Sequence, residues 1–243
     1  MSTRPPRGLL FDYGGTLVEE VGDDPRAGTE AVLQYATDLP ATIDREAIFA
    51  RVERVSREVA QRRDVTGIET PWTSLARLIH DFFGIRFAVP LADLELAFWD
   101  ASVRTRAMPG ARDALLEFHR AGLPMGVVSN SAFSRGVIRH ELAKHGLADV
   151  LAVVIVSAEY AVRKPSPLLF ETAAALLGVP ARDVWFVGDR LDRDIAGARA
   201  AGMTAVLYAP SGATGQADAD IVAPTWPALV ATVRRELPLG ESH

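Results

Sequence analysis

From residue 108 onward, short apolar runs alternate with segments of helical pattern. The apolar runs lie at residues 125–128, 153–156, 184–187, 205–207 and 221–222. Glycine or proline stands at the ends of the intervening segments, as is typical of short helices. Strands that alternate with helices in this way pair in parallel and are joined by right-handed crossovers. The alternation therefore predicts an α/β fold with a doubly wound parallel sheet.

An earlier apolar run at residues 8–11 predicts the first strand of this sheet, and the pattern after Thr16 becomes helical. Asp24 and Pro25 suit a helix start, since aspartate caps free N–H groups and proline needs none at the first position. Apolar residues then recur at helical spacing, at Ile48, Val52, Val55 and Val59, at Leu75, Leu78, Ile79 and Phe82, and at Leu91, Leu94, Phe98 and Val103. Residues 19–106 are therefore predicted to form a helical module inserted into an α/β domain of residues 1–18 and 107–243.

Composition narrows the class of partner. The chain has 243 residues, a formal net charge of -5 and no cysteine. Length suffices for a domain with an insert, and the absence of cysteine excludes disulfides, thiolate metal sites and a cysteine nucleophile. Interspersed charges favour a small-molecule partner over nucleic acid or a membrane surface, and no pattern indicates an oligomeric state. No apolar run has the length of a signal or membrane-spanning segment, so the expected location is cytoplasmic.

Four of the predicted strands are followed by side chains suited to catalysis. In chain order these are Asp12, then Ser129 with Asn130, then Lys164, then Asp189 with Asp194. Because the carboxyl ends of parallel strands meet at one edge of a sheet, we expect these groups to converge. A carboxylate nucleophile, a hydroxyl, an ammonium and a carboxylate pair together suit phosphoryl transfer.

Each candidate has an expected role. Asp12, Asp189 and Asp194 offer the oxygen ligands that Mg²⁺ prefers. The ion and Lys164 would offset the repulsion between an anionic nucleophile and a phosphate, and Ser129 with backbone N–H groups would bind the phosphoryl oxygens. Asn130 is expected to orient Asp12 or bind substrate. Asp12 would form an aspartyl ester that water then cleaves.

These segments resemble the motifs of the haloacid dehalogenase-like (HAD) superfamily. The matching pieces are Asp12-Tyr13-Gly14-Gly15-Thr16-Leu17, Ser129, Lys164, and Gly188-Asp189 with Asp194. Each motif alone is weak, but four in order over nearly the whole chain are specific. The resemblance implies a Rossmann-like core, Mg²⁺ as cofactor, the backbone of Gly14 as a metal ligand, Thr16 at the substrate, and residues 19–106 as a helical C1-type cap that selects a small phosphorylated substrate.

Gly14 departs from the pattern of the family's phosphatases, which usually carry a second aspartate two residues after the nucleophile. That aspartate protonates the leaving alcohol and activates water, and the loss of such a group typically costs about 10²–10⁴-fold in rate. Tyr13, Glu19 and Glu20 are the nearby groups that could replace it. Gly14 therefore leaves open an alternative, a catalytically impaired or regulatory protein that binds a phosphorylated ligand or a protein partner.

Other reactions of the superfamily fit less well. A 2-haloacid dehalogenase needs no metal, and dehalogenases of the family lack the acidic pair present here as Asp189 and Asp194. A phosphonoacetaldehyde hydrolase would need a lysine in the insert, which has none. A phosphomutase depends on the acid-base group that Gly14 lacks.

Several further residues are interpreted as structural. His80, Trp72 and Trp99 lie on or beside apolar faces of predicted helices, where packing is the commoner role. Glu159 is expected in a loop near Lys164. Asp192 is expected to be a loop residue beside the metal pair.

Overall fold

A computed structural model describes residues 4–210, 212 and 218–237. The low hydrophobicity of residues 211–220 predicts a loop there, and most of it lies outside the described residues. Strands and helices are numbered along the chain. The main sheet contains β1 (Gly8–Phe11), β6 (Met125–Ser129), β7 (Val153–Val156), β8 (Val184–Gly188), β9 (Thr204–Tyr208) and β10 (Ile221–Ala223). All its pairings are parallel, in the order β10-β9-β8-β1-β6-β7.

Helices cover both faces of this sheet. They are α5 (Ala111–Arg120), α6 (Arg135–Lys144), α7 (Pro167–Leu177), α8 (Ala196–Ala200) and α9 (Trp226–Glu236). Residues of α5, α6 and α9 share one hydrophobic cluster with one face of the sheet, and residues of α7 and α8 share a second cluster with the other face. Every residue of β1, β6, β7 and β8 is accordingly buried, as expected for parallel strands covered on both sides. The predicted doubly wound α/β fold is confirmed.

Four helices lie between β1 and α5, namely α1 (Pro25–Leu33), α2 (Arg45–Thr66), α3 (Trp72–Phe83) and α4 (Leu91–Ser102). Asp24 caps α1, its side chain accepting a hydrogen bond from the Ala27 N–H at 3.1 Å. Gly84 ends α3 in a left-handed conformation. Leu33, Ile48, Val55, Ile79 and Ile85 form a hydrophobic cluster within this region. We call residues 19–106 the insert.

The region directly after Thr16 is not helical, which corrects the sequence interpretation. It forms β2 (Val18–Asp23), which pairs antiparallel with β5 (Val103–Ala107). A second two-stranded ribbon joins β3 (Ala36–Asp38) to β4 (Arg86–Phe87). Because each partner is distant in the chain, the local pattern does not reveal either ribbon. The β2–β5 ribbon carries the chain out of the α/β domain and back, and the expected insert boundaries fall one residue inside its outer ends.

Within the part of the chain that the structure describes, no helix combines the length and the apolar character needed to span a membrane.

Candidate active site

Asp12 follows β1 at the centre of the sheet. Its backbone N–H donates to the Val187 carbonyl of β8 at 2.9 Å, and its side chain is buried. Two residues on, Gly14 and Gly15 form a tight turn. Gly15 has φ +77° and a Cβ there would lie 2.6 Å from the Asp189 carboxylate, so both its backbone and the adjacent acid require glycine. The turn thus brings the β1 and β8 carboxylates to the same edge.

Lys164 is a buried cation that joins two of the carboxylates. Its Nζ lies 2.5 Å from Asp12 Oδ1 and 2.7 Å from Asp194 Oδ1, and it donates to the Val128 carbonyl at 2.9 Å. Burial would lower the pKa of Lys164, but Asp12 and Asp194 together hold that pKa above its usual value. The ammonium therefore stays charged beside Asp12.

Asn130 positions the backbone of Lys164. Its side-chain oxygen accepts from the Lys164 N–H at 2.8 Å, and its amide nitrogen donates to the Lys164 carbonyl at 3.1 Å. Asn130 also lines the cavity described below. Both polar atoms of its amide bond to the Lys164 backbone, so the side chain links the carboxyl end of β6 to the loop that carries Lys164.

Asp12, Asp189 and Asp194 form an acidic cluster whose ligand oxygens lie within 4.8 Å of one another. A π-helical turn at Leu191–Ile195 places Asp194, whose carboxylate accepts from the Arg190 N–H at 3.1 Å. The buried Asp189 Oδ1 has no hydrogen-bond partner among the described residues. An orphaned carboxylate oxygen beside two further carboxylates fits a hard divalent cation.

The charges of the acidic cluster also fit a bound divalent cation. Burial raises the pKa of Asp12 to about 7, Lys164 opposes this, and Asp194 adds to it. Burial and then Asp194 also raise the pKa of Asp189. Three carboxylates therefore share one ammonium, and a bound cation would relieve their repulsion.

A cavity of about 710 Å³ lies between the α/β domain and the insert, with the acidic cluster in its wall. Ser129, buried at the end of β6, also lines it. Thr16 does not: its side chain is fully buried away from the lining, and its hydroxyl has no hydrogen-bond partner among the described residues. The structure thus brings every predicted site residue except Thr16 to one cavity.

Gly14 lines this cavity and has free space beside it. A Cβ added there would meet no atom of the described chain within 4 Å. Of the three groups considered as replacements, Glu19 pairs with Arg106 at 2.6 Å and is not part of the lining. Tyr13 and Glu20 do line the cavity, and burial raises the pKa of both, with Asp23 adding to the effect on Glu20.

The remaining sequence candidates lie around this site. Asp192 is exposed and pairs with Arg190 and Arg193. Glu159 binds Arg135 through both carboxylate oxygens.

The three ring side chains all line the cavity and also pack against neighbours. Trp99 donates to the buried Glu141 at 2.7 Å, Trp72 packs on Phe98 and Phe133, and His80 packs on Phe87.

One polar cluster beside the site was not expected from the sequence. Glu69, a buried residue of the insert that lines the cavity, accepts hydrogen bonds from Ser157 at 2.8 Å and from Arg163. Arg163 directly precedes Lys164. The pair thus joins the insert to the loop that holds the lysine. No local pattern in the sequence indicates it, because the two residues are 94 positions apart.

Comparisons with known proteins agree with this geometry. A ribulose-1,5-bisphosphate 5-phosphatase from Halopiger xanaduensis is 29% identical over 207 residues, which are 84% of each chain. The crystal structure of a HAD phosphatase from Thermococcus onnurineus superposes with a TM-score of 0.62 at 25% identity, covering 93% of this chain and 97% of that one.

A 2-haloacid dehalogenase from Pseudomonas syringae pv. Tomato has a TM-score of 0.63 at 20% identity, covering 95% of this chain and 99% of that one, and shares the fold. The sequence model of the haloacid dehalogenase-like hydrolases matches residues 6–202. With the four motifs gathered at one edge of the sheet, the chain belongs to the haloacid dehalogenase-like hydrolase family.

Proposed function

We propose that this hydrolase is a Mg²⁺-dependent phosphatase that acts on a small phosphorylated metabolite through an aspartyl-phosphate intermediate. The observation that carries the proposal is the contact of Asp12 with Lys164 inside an acidic cluster that lines the cavity between the α/β domain and the insert. Relatives named as phosphatases support it, including the ribulose-1,5-bisphosphate 5-phosphatase.

The first step is attack by a carboxylate oxygen of Asp12 on phosphorus. A bond forms between that oxygen and phosphorus while the bond from phosphorus to the substrate's ester oxygen breaks, and the electron pair leaves with the alcohol oxygen, which takes up a proton. Ser129 binds the phosphoryl oxygens, and the Lys164 ammonium, whose three N–H donors go to Asp12, Asp194 and Val128, offsets their negative charge. Lys164 also keeps the carboxylate in place for attack, since its ammonium contacts both Asp12 and Asp194.

The second step is attack by water on the phosphorus of the aspartyl phosphate. A bond forms between the water oxygen and phosphorus while the bond from phosphorus to the Asp12 oxygen breaks, and its electron pair restores the carboxylate. The proton that the water loses passes to the departing inorganic phosphate. Asp12, Asp189, Asp194 and the backbone of Gly14 would hold Mg²⁺, which when bound supplies positive charge against the phosphoryl oxygens.

Glu20 is our candidate for the proton donor that Gly14 lacks. It lies on β2 in the cavity wall with an exposed side chain, and partial desolvation raises its pKa above the usual value, which favours the protonated form. Tyr13 is less suitable, because its phenol is buried and its pKa lies far above neutrality, which makes proton release costly. Good leaving groups, such as aryl or acyl phosphates, need this proton least.

We further propose that the insert, residues 19–106, acts as the cap that selects substrate. Its helices supply much of the cavity wall facing Asp12. The alternative of a regulatory protein that binds without turnover rests on Gly14 alone. Dehalogenation is disfavoured by the acidic pair of Asp189 and Asp194.

The decisive experiment measures release of inorganic phosphate from a panel of phosphate monoesters, with and without Mg²⁺, for the parent and for Asp12→Asn. The proposal expects Mg²⁺-dependent release that the variant lacks. Release that is equal in both proteins would reject Asp12 as nucleophile. Binding of phosphate esters without any release would favour the regulatory alternative.

A further inference from the structure

The part of the cavity within the insert has a largely apolar wall. Its lining includes Val32 from α1, Ile48, Val52 and Val59 from α2, Ile79 from α3 and Phe98 from α4. Ile48 and Ile79 belong to the hydrophobic cluster of the insert, and Val52 and Val59 pack against it. The wall is therefore held by helix packing.

The charged lining residues of the insert are Glu20 and Asp23 on β2, Arg63 on α2 and Glu69, and the last two lie toward the α/β domain. Glu69 is bonded to Arg163, the neighbour of Lys164, and Arg63 is close enough to Arg163 to affect its pKa. At the far end the titratable group is His80, which packs on Phe87 of β4, and burial lowers the pKa of His80 to about 4. The far end is thus uncharged at neutral pH.

Helix α2 shows how far the cavity extends. It presents Ile48, Val52, Ser56, Val59, Ala60 and Arg63 to the cavity. These positions are mostly three or four residues apart and so share one face. At 1.5 Å per residue, the distance from Arg63 to Ile48 is about 22 Å along the helix axis. The cavity is therefore elongated and leads away from Asp12 along an apolar surface.

We propose that the substrate is the monophosphate of an apolar alcohol, with an alkyl or isoprenoid chain that lies along α2 while its phosphate meets Asp12 and Lys164. This inference rests on the proposed phosphatase function and names its substrate class. A polyhydroxylated chain fits the wall poorly, because most of its hydroxyl groups would lose water without gaining hydrogen-bond partners. An apolar chain gains free energy with each methylene that it buries.

The test is a series of n-alkyl phosphates from ethyl to decyl, studied in two ways. Hydrolysis by the parent is expected to show kcat/KM rising about fourfold per added methylene (about 0.8 kcal/mol) until the cavity is filled. Calorimetric binding to Asp12→Asn is expected to follow the same trend. A flat series in both measurements would overturn the apolar-chain proposal.

The two proposals fail separately. If hydrolysis occurs but neither hydrolysis nor binding depends on chain length, the phosphatase function is retained and the proposed substrate class is rejected. Binding that strengthens with chain length without any hydrolysis by the parent would remove the phosphatase and support the apolar site.

A matched pair of variants locates the chain. Ala60→Phe adds a ring to the cavity face of α2, whereas Gln61→Phe adds the same ring to an exposed position outside the lining. Ala60→Phe is expected to lower kcat/KM for decyl phosphate by about tenfold or more and to flatten the rise of kcat/KM with chain length. Gln61→Phe is expected to match the parent. A parent-like series for Ala60→Phe would overturn the placement of the chain along α2.

Discussion

Asn130 and Lys164 are joined by two reciprocal hydrogen bonds, in which the Asn130 amide pairs with the N–H and the carbonyl of the Lys164 backbone at 2.8 and 3.1 Å. The pairing fixes the loop from which the lysine reaches Asp12. Asn130 is therefore placed to act on the reaction through Lys164 rather than through the substrate.

Removal of this amide should shift the lysine. We expect Asn130→Ala to lower the free energy of unfolding by about 1–3 kcal/mol. We expect kcat to fall by up to about 10²-fold, because a small displacement of a reacting group is costly. Steady-state kinetics and urea unfolding measure the two effects.

The inhibition constant of inorganic phosphate separates the two roles of Asn130. A positioning role predicts a large fall in kcat with a smaller change in that constant. A fall in phosphate affinity as large as the fall in kcat, with unchanged stability, would instead make Asn130 a direct ligand of the phosphate.

Replacement of Asp12, the proposed nucleophile, should abolish turnover without unfolding the protein. Asp12→Asn is expected to reduce kcat by roughly 10³-fold or more, since removal of a nucleophile is among the most costly single changes. Lys164 retains its contact with Asp194, so the variant should remain folded. Phosphate release and circular dichroism provide the measurements.

Asp192→Asn is the matched control for this change. Asp192 lies close in the chain to the acidic cluster but is exposed and outside the cavity lining, and its partners Arg190 and Arg193 are about half exposed, so its variant should stay close to the parent rate. An equal loss in both variants would argue against a specific role for Asp12.

A carboxylate introduced at position 14 should accelerate turnover. An added Cβ at Gly14 meets no described atom within 4 Å, so Gly14→Asp is expected to fold normally. With alkyl phosphates its kcat should rise by about 10²–10⁴-fold, and with aryl phosphates by less, because a good leaving group needs little protonation. The ratio of the two rates reports the effect.

Gly14→Asn has a similar shape without the proton and should not gain rate. Glu20→Gln should slow the parent but have little effect in the Gly14→Asp background, where the new aspartate supplies the proton. A Gly14→Asp variant that is folded and no faster than the parent would show that proton donation is not the limiting deficit.

Loss of the buried lysine should be costly to stability. Lys164→Met leaves Asp12 and Asp194 buried without their shared ammonium, and breaking a buried pair in this way typically costs about 3–5 kcal/mol. Mg²⁺ should recover part of the loss, because a cation bound to the folded state alone stabilises it. Urea unfolding with and without Mg²⁺ tests both effects.

The other lysine of the chain is the control. Lys144 is 45% exposed and pairs with Asp100 and with the buried Glu141, which keeps hydrogen bonds from Trp99 and Thr105. Lys144→Met should therefore cost about 1 kcal/mol, less than Lys164→Met, and be insensitive to Mg²⁺. Equal losses for the two lysines would contradict the central place given to Lys164.

His80 should make the insert less stable in mild acid. Burial lowers the pKa of His80 to about 4, opposed by Asp81, against about 6.5 in an unfolded chain. Below pH 6.5 His80 is therefore protonated in the unfolded chain while it stays neutral in the folded protein. The stability that neutral His80 supports is fully present above pH 6.5, and the free energy of unfolding falls as the pH drops from 6.5 toward 4.

The measurement is the difference in unfolding free energy between the parent and His80→Gln from pH 7 to pH 4. The parent should lose stability faster over this range. His80→Phe, which keeps a ring against Phe87, should behave like His80→Gln. Parallel curves for the three proteins would show that His80 is not responsible.

The parts of the fold that the sequence predicted are those governed by local pattern. The buried strands appear as short apolar runs, and α1 begins where Asp24 and Pro25 indicate. The β2–β5 ribbon was misinterpreted because β2 contains charged residues and its partner lies some 80 residues away. Pairing between distant segments has no local signature.

The candidate site likewise has a part that could be predicted from the sequence and a part that could not. Asp12, Ser129, Lys164, Asp189 and Asp194 could be predicted, because each follows a recognisable strand and the strands are parallel. The binding of Asn130 to the Lys164 backbone and the pair of Glu69 with Arg163 depend on how loops and the insert pack. The burial of Thr16 likewise depends on the course of the turn, which composition does not specify.

The β2–β5 ribbon has a consequence for how the molecule can be altered. Val18 pairs with Ala107, and the Met108 N–H bonds the Leu17 carbonyl at 2.9 Å, so the chain leaves and re-enters the α/β domain at adjacent points. A segment whose two ends are neighbours can be replaced by another segment at little entropic cost, because the chain on either side does not have to move to close the gap. Replacing the residues between these points with those of a relative would change the wall that the insert gives to the cavity and would leave Asp12 in place after β1.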